Sequence, residues 1–174
     1  MPIFEASLAA GFLIRTETRP STIPGAGAGV FALEDVARGT FVGMDFPDPK
    51  KACTADEVLA LPRELRMFSW RHVEHVCFAA AGQRTSTDLM NHSFTPNVLW
   101  HVGHYFTLAD VGAGDELFLD YRHLLAPSWN DRLFDGASRR AVNGLEWREA
   151  VRSSCRQLLA LLEDRGPSLV RRLL

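Results

Sequence analysis

Between residues 10 and 125 the apolar positions fall in short runs broken by Gly, Pro and polar residues. The runs are Phe12-Leu-Ile, Val30-Phe-Ala-Leu, Thr40-Phe-Val-Gly, Val76-Cys-Phe, Val98-Leu-Trp, Tyr105-Phe-Thr-Leu and Glu116-Leu-Phe-Leu-Asp-Tyr121. Runs this short, with breakers between them, predict a strand-rich body and not a series of βαβ units. One helical stretch interrupts the body at 54–68. Thr54 and Glu57 form a capping-box pair, Val58, Leu59 and Leu61 supply an apolar face, and Pro62 stops the first helix. After residue 126 the period changes. Trp147, Val151, Cys155, Leu158 and Leu162 recur at spacings of three and four, Asn143 with Glu146 reads as the N-terminal cap, and Gly166-Pro167 ends the segment. The pattern predicts an amphipathic helix of about 20 residues, or ~30 Å. Its apolar stripe is suited to covering the β body or to receiving a partner. No linker sets residues 126–174 apart as an independent domain.

Composition narrows the class. The 174 residues are 47% hydrophobic and 23% charged, near the averages for one globular domain. A formal charge of -2 gives no bulk positive field, which excludes a general nucleic-acid coat protein. That total hides a split: residues 136–174 carry 8 Arg against 4 acids, a net of +4, which leaves -6 on the first 135 residues. Two of the basic residues are lysines, Lys50 and Lys51, and the other 17 are arginines. The three cysteines, Cys53, Cys77 and Cys155, are far apart in sequence and form neither a disulfide framework nor a CxxC zinc site. No apolar run approaches the ~18 residues of a membrane helix. Residues 1–12 lack the basic start of a signal peptide, so the expected location is cytoplasmic, although secretion as an effector would leave no readable trace.

Three segments carry candidate chemistry. In Pro24-Gly-Ala-Gly-Ala-Gly-Val-Phe-Ala32 alternate glycines bare the backbone, so that a ligand can reach main-chain amides and carbonyls. The segment is no dinucleotide fingerprint, because a turn precedes it and a strand-like run follows. Asp88-Leu-Met-Asn-His-Ser-Phe-Thr-Pro-Asn97 is a polar loop rigidified by Pro96, and Gly112-Ala-Gly-Asp-Glu-Leu-Phe-Leu-Asp-Tyr121 is a turn feeding a strand. The pairs His72/His75 and His101/His104 have HxxH spacing. On single strands their members would point to opposite faces, so no metal site is expected.

In this order and at these separations, the three segments resemble the SET-domain family of protein lysine methyltransferases. Gly27-Ala-Gly29-Val-Phe-Ala matches its first motif, Asn91-His-Ser-Phe-Thr-Pro-Asn97 its NHS-x-x-PN motif, and Gly114-Asp-Glu-Leu-Phe-Leu-Asp-Tyr121 its G-[DE]-E-L-x-x-DY motif. The resemblance covers residues 10–125 and implies a mostly β, β-clip-like, pseudoknotted fold with a helical insert at 54–68 and C-terminal helices over 126–174. It implies S-adenosylmethionine as cofactor and a protein or peptide substrate with a target lysine, a histone or other basic tail among the options. Main chain at Ala28 and Gly29 would take the methionine end of the cofactor, with Asn91 and His92 beside it, His92 chiefly through its backbone. Tyr121 would be the catalytic residue at the transferring methyl. Trp129 is a candidate to stack on adenine or simply to pack, and Trp100 and Leu119 would line the lysine channel.

The departures are equally specific. Phe94 stands where a cysteine is common and no cysteine cluster follows Tyr121, so a minimal, zinc-free member is implied. Asp88 replaces the usual basic residue before Asn91, and Leu119 replaces the aromatic that often limits methyl number. These departures support the alternative of a catalytically reduced, SET-like protein-binding module. Nothing in the sequence implies nucleic-acid or membrane partners, and monomer and dimer stay equally open.

Overall fold

Glycine and proline cut the apolar runs so short that each becomes a strand of two to five residues, gathered with its neighbours into small sheets. This computed structural model describes residues 11–45, 52–66, 68–74, 76–79, 85–127 and 133–164. The largest sheet has four antiparallel strands in the order β1 (Gly11–Phe12), β4 (Phe41–Met44), β10 (His104–Thr107) and β9 (Val98–His101). A hairpin of β2 (Thr16–Pro20) and β3 (Ala28–Ala32) lies in sequence between β1 and β4, and a three-stranded sheet of β5 (Ala52–Cys53), β7 (Val76–Ala79) and β6 (Ser69–Val73) between β4 and β9. A parallel pair joins β8 (Asn91–His92) to β11 (Phe118–Leu119), which brings the second and third motifs side by side. Val30, Val42, Met90, Val98, Trp100, Tyr105, Leu117 and Leu119 form the buried core.

Several expectations from pattern alone are displaced. β2 is missing from the apolar pattern because four of its five residues are exposed; it is an edge strand, held by the β3 ladder rather than by burial. β3 does not alternate either. Val30, Phe31 and Ala32 are all buried: Val30 and Ala32 belong to the core, and the Arg19 guanidinium lies 3.7 Å from the Phe31 ring centroid. Tyr121 is not the end of a strand: it opens a 3₁₀ turn, Tyr121–His123, capped by the Asp120 carboxylate, which accepts from the Arg122 amide.

The insert forms as two short helices, α1 (Ala55–Leu59) and α2 (Arg63–Arg66), on either side of Pro62. The capping box is present, with the Glu57 amide donating to Thr54 Oγ1 at 3.3 Å and the Thr54 amide to Glu57 at 2.7 Å. After residue 126 the described residues hold one helix, α3 (Trp147–Glu163), preceded by a small hairpin of β12 (Leu133–Phe134) and β13 (Ala141–Val142). Asn143 does not cap α3. The stretch before the helix is held extended, because the Leu145 amide donates to the Arg122 carbonyl and Arg71 Nη2 donates to the Leu145 carbonyl. Helix geometry therefore starts only after Glu146.

The buried line of α3 is also rotated from the expected stripe. Ala150, Ser154 and Leu161 are buried, whereas Cys155 and Leu162 face solvent. Small residues at the contact let α3 lie close to β9, and Ser154 Oγ meets His101 Nδ1 at 3.0 Å. A further correction concerns His101 and His104. They are not on opposite faces of one strand; the β9–β10 turn at Val102-Gly103 makes them cross-strand partners. Cys53 and Cys77 are likewise neighbours across β5 and β7, both as free thiols. Burial pushes the Cys77 thiol up to about 11, which keeps it protonated and inert at neutral pH.

Candidate functional site

The site is built around a buried carboxylate. Glu116, 4% exposed, receives hydrogen bonds from Ser21 Oγ (2.7 Å), the Thr22 amide (2.7 Å), Thr22 Oγ1 (2.5 Å) and Asn91 Nδ2 (3.0 Å). Burial alone would raise its pKa, but these donors outweigh it and hold the carboxyl below its ordinary value. Gly29 is glycine because of this carboxylate: a Cβ there would lie 2.1 Å from Glu116 Oε1. The bare backbone expected to receive a ligand is thus filled by the chain itself at Gly29. At Gly27, with φ of 81°, the space remains open.

Asn91 is fixed by the same arrangement. Its Nδ2 donates to the Ala28 carbonyl at 2.9 Å and to Glu116, and both partners are acceptors, so the amide has one orientation and Oδ1 is turned away from them. Asn97 performs the matching task for the third motif. Its Nδ2 donates to the Glu116 carbonyl and its Oδ1 accepts from the Phe118 amide, both at 2.8 Å, which ties the loop to β11.

His92 lies 7% exposed between the Tyr121 and Phe94 rings. The Tyr121 amide donates to its Nδ1 at 3.1 Å, so the neutral ring carries its proton on Nε2. Burial lowers its pKa and keeps it neutral. Nε2 is buried without a hydrogen-bond partner. Phe94 fills the cysteine position with a packed ring, flanked by the Arg122 and Arg140 guanidiniums at 5.0 and 4.7 Å.

Tyr121 Oη donates to the Met90 carbonyl at 2.6 Å, and burial raises its pKa well above the ordinary phenol value, so it stays a neutral donor. It opens onto a cavity of about 70 Å³. Trp70, Met90, Leu119 and Leu124 give that cavity apolar walls, and Asp45, Asp88, Tyr105 and Tyr121 are among the polar residues of its lining. Among its described lining residues none is Lys, Arg or His.

A family model for the SET domain matches residues 27–122, more than half of the chain. The chain belongs to the SET-domain family. Solved structures agree on the SET fold. One similar chain comes from a humanized mutant of the Chaetomium thermophilum Polycomb Repressive Complex 2 bound to the inhibitor GSK126, with 24% identity and a TM-score of 0.53 over 78% of this chain and 19% of that one. Another comes from the same complex bound to GSK343, at 24% identity and a TM-score of 0.52, covering 80% and 20%. The chain therefore spans about a fifth of the length of these relatives, and at such identity the likeness shows the fold alone. No curated protein sequence matches.

Within this SET domain the structure brings Ala28, Gly29 and Asn91 together around Glu116, and places His92 against Tyr121. Leu119 lines the cavity beside Tyr121. Trp100 is elsewhere: it is 3% exposed in the core, cross-strand from Tyr105 and outside the cavity lining. Trp129 lies outside the described residues, as does His75. Among the described residues no three His, Cys, Asp or Glu side chains group to hold a metal, and no helix is long and apolar enough to cross a membrane.

Sequence reasoning singled out neither Glu116, Tyr105 nor Asp45. Glu116 sat in a quoted motif, and its signal was the Gly29 opposite it. Tyr105 and Asp45 had no signal, because they meet only when β4 and β10 pair.

Proposed function

We propose that this SET domain methylates a lysine side chain of a protein, with S-adenosylmethionine as the methyl donor. One observation carries the reading: a neutral phenol, Tyr121, sits at a carbonyl dipole in a cavity with apolar walls and two carboxylates, next to a polar cradle that joins all three motifs. The residues fit the cofactor. The open space beside Gly27 suits its methionine end, and Asn91 Oδ1, turned outward by the two bonds of Nδ2, suits an ammonium donor. The unpartnered Nε2–H of His92 is a buried donor left for an acceptor such as an adenine nitrogen. When bound, S-adenosylmethionine supplies a methyl group on a positively charged sulfur.

What the chain contributes is alignment, dipoles and desolvation. The cavity walls exclude water and hold an alkyl chain extended towards Tyr121, and such alignment supplies much of a displacement's rate. The Met90 carbonyl and Tyr121 Oη place fixed dipoles where an amine must be oriented. A free lysine, with a pKa of ~10.4, is mostly protonated at neutral pH, and apolar walls favour its neutral form. The two carboxylates lining the cavity and the -6 carried by the first 135 residues favour a basic target segment. Action in the cytoplasm belongs to the same proposal.

A catalytically reduced binding module is the second reading, favoured by Leu119 where an aromatic is usual. Incubation with S-adenosylmethionine carrying a labelled methyl, across a panel of basic peptides and proteins, separates the two. Label on lysine that disappears in Tyr121→Phe supports the enzyme. Retention of a peptide partner by both forms, with no label, supports the module.

A further inference from the structure

The Tyr121 cavity holds an acid that none of the family motifs contains. Asp45 directly follows β4, and its backbone amide donates to the Gly103 carbonyl at 2.8 Å. Its carboxylate is held from two sides: Tyr105 Oη donates to Oδ2 in a short contact, and Thr87 Oγ1 donates to Oδ1 at 2.9 Å. Tyr105 and Thr87 are each 3% exposed, so both donors are fixed by packing. A carboxylate has about four acceptor sites, and each of these oxygens keeps capacity for a further donor. The cavity, at about 70 Å³, is several times the ~10–15 Å³ that one water requires, enough for the tip of an alkylamine.

We propose that Asp45 receives the ammonium of the target lysine, orients it towards Tyr121 and takes the proton that must leave before the nitrogen can accept a methyl group. The inference rests on the lysine methyltransferase reading. An ion pair alone would oppose the reaction, since a paired ammonium has no free lone pair. Burial moves the proton the right way: desolvation already raises the Asp45 pKa, with Asp88 adding to it, and the same desolvation lowers that of an entering ammonium. In the transfer an N–H bond breaks with its electron pair remaining on nitrogen, and the proton forms an O–H bond on the carboxylate. A neutral amine and a neutral Asp45 acid remain, and the acid returns the proton to water once the product departs. The groups facing Asp45 are the Tyr105 phenol from β10 and Thr87 with Asp88 from the 3₁₀ turn Ser86–Leu89. Tyr121 lines the same cavity from its own 3₁₀ turn. The two phenols are held protonated by burial, so Asp45 and Asp88 are the anions of this lining.

The test uses the full chain and n-butylammonium, a lysine side chain without its backbone, with 1-butanol as the neutral control. The wild type should bind the cation at least tenfold more tightly than the alcohol. Asp45→Asn keeps the shape and an acceptor for Tyr105 but should bring the ratio close to one. Tyr105→Phe, which leaves the carboxylate, should retain the preference. Should Asp45→Asn fail to fold, the carboxyl carbon resonance of Asp45 in the wild type decides: it shifts on addition of n-butylammonium and not of 1-butanol. With methyl transfer as readout, Asp45→Asn should lower the rate about 10²–10⁴-fold at pH 7, with residual activity climbing towards the lysine pKa. Its affinity for S-adenosylhomocysteine should be unchanged. An unaltered cation preference or an unmoved Asp45 resonance overturns the assignment of Asp45. No S-adenosylhomocysteine binding by the wild type would instead overturn the methyltransferase reading beneath it.

Discussion

Gly29 shows how one missing atom organises the site. The carboxylate of Glu116 occupies the volume a Cβ would need, and through it Asn91, Ser21 and Thr22 are drawn to β3. Gly29→Ala should destabilise the fold by about 1–3 kcal/mol, the usual cost of overpacking. In a Glu116→Ala background the same substitution should cost much less, because the two positions compete for one space. Denaturant unfolding of the four proteins of this cycle checks both statements. Tyr121→Phe is the complementary case. Loss of one neutral hydrogen bond to the Met90 carbonyl should cost about 1 kcal/mol of stability, while methyl transfer should fall about 10²-fold or more. At this scale the sequence drew attention to Asn91, His92 and Tyr121 because each lies in a contiguous motif, and the fold brings the three together. Glu116 and Asp45 escaped because their roles depend on partners 95 and 60 positions away, at Ser21 and Tyr105.

Among the elements, the apolar runs located β3, β4, β7, β9 and β10, since each buries enough side chain to mark it. The polar β2 left no such mark, and α3 was found with its inward line turned, because Ala150 and Ser154 are weak hydrophobic signals but good contact residues. The β9–β10 turn was illegible for a related reason: Val102 is a poor turn residue, yet it adopts φ of 47° there, followed by Gly103 at 87°. A β-branched residue in that left-handed region carries strain of about 1–2 kcal/mol. Val102→Asn, which supplies a residue suited to such turns, should raise stability by about 1 kcal/mol without altering ligand binding. A thermal melt of the variant tests it, and a lower melting temperature would refute the strain.

Across the whole molecule, burial governs the histidines. His72, His92, His101 and His123 all have pKa values lowered from 6.5, in each case chiefly by desolvation. A histidine depressed in the folded state takes up its proton more readily when unfolded, so below about pH 6.5 the unfolded chain binds more protons and stability falls with pH. Unfolding midpoints should therefore be level from pH 8 to 7 and decline from pH 6.5 to 5. A flat profile would contradict the buried, neutral rings. Near pH 4 Glu116 adds to the loss: its lowered pKa contributes stability that is present above 4.5 and disappears as pH falls through the folded value. Charge at this scale was legible only as a sum. The split between -6 and +4 was visible in the sequence, but the placement of Asp45 and Asp88 in the Tyr121 cavity required the fold.

The central claim is that the three motifs assemble a lysine methyltransferase site around Tyr121. Its most direct test is mass spectrometry of a lysine-containing basic peptide after incubation with the protein and S-adenosylmethionine. The account predicts that a lysine of the peptide gains the mass of one or more methyl groups with the wild type, at a rate about 10²-fold or more above that with Tyr121→Phe. An unmodified peptide panel, together with no detectable binding of S-adenosylmethionine by the folded wild type, would contradict it.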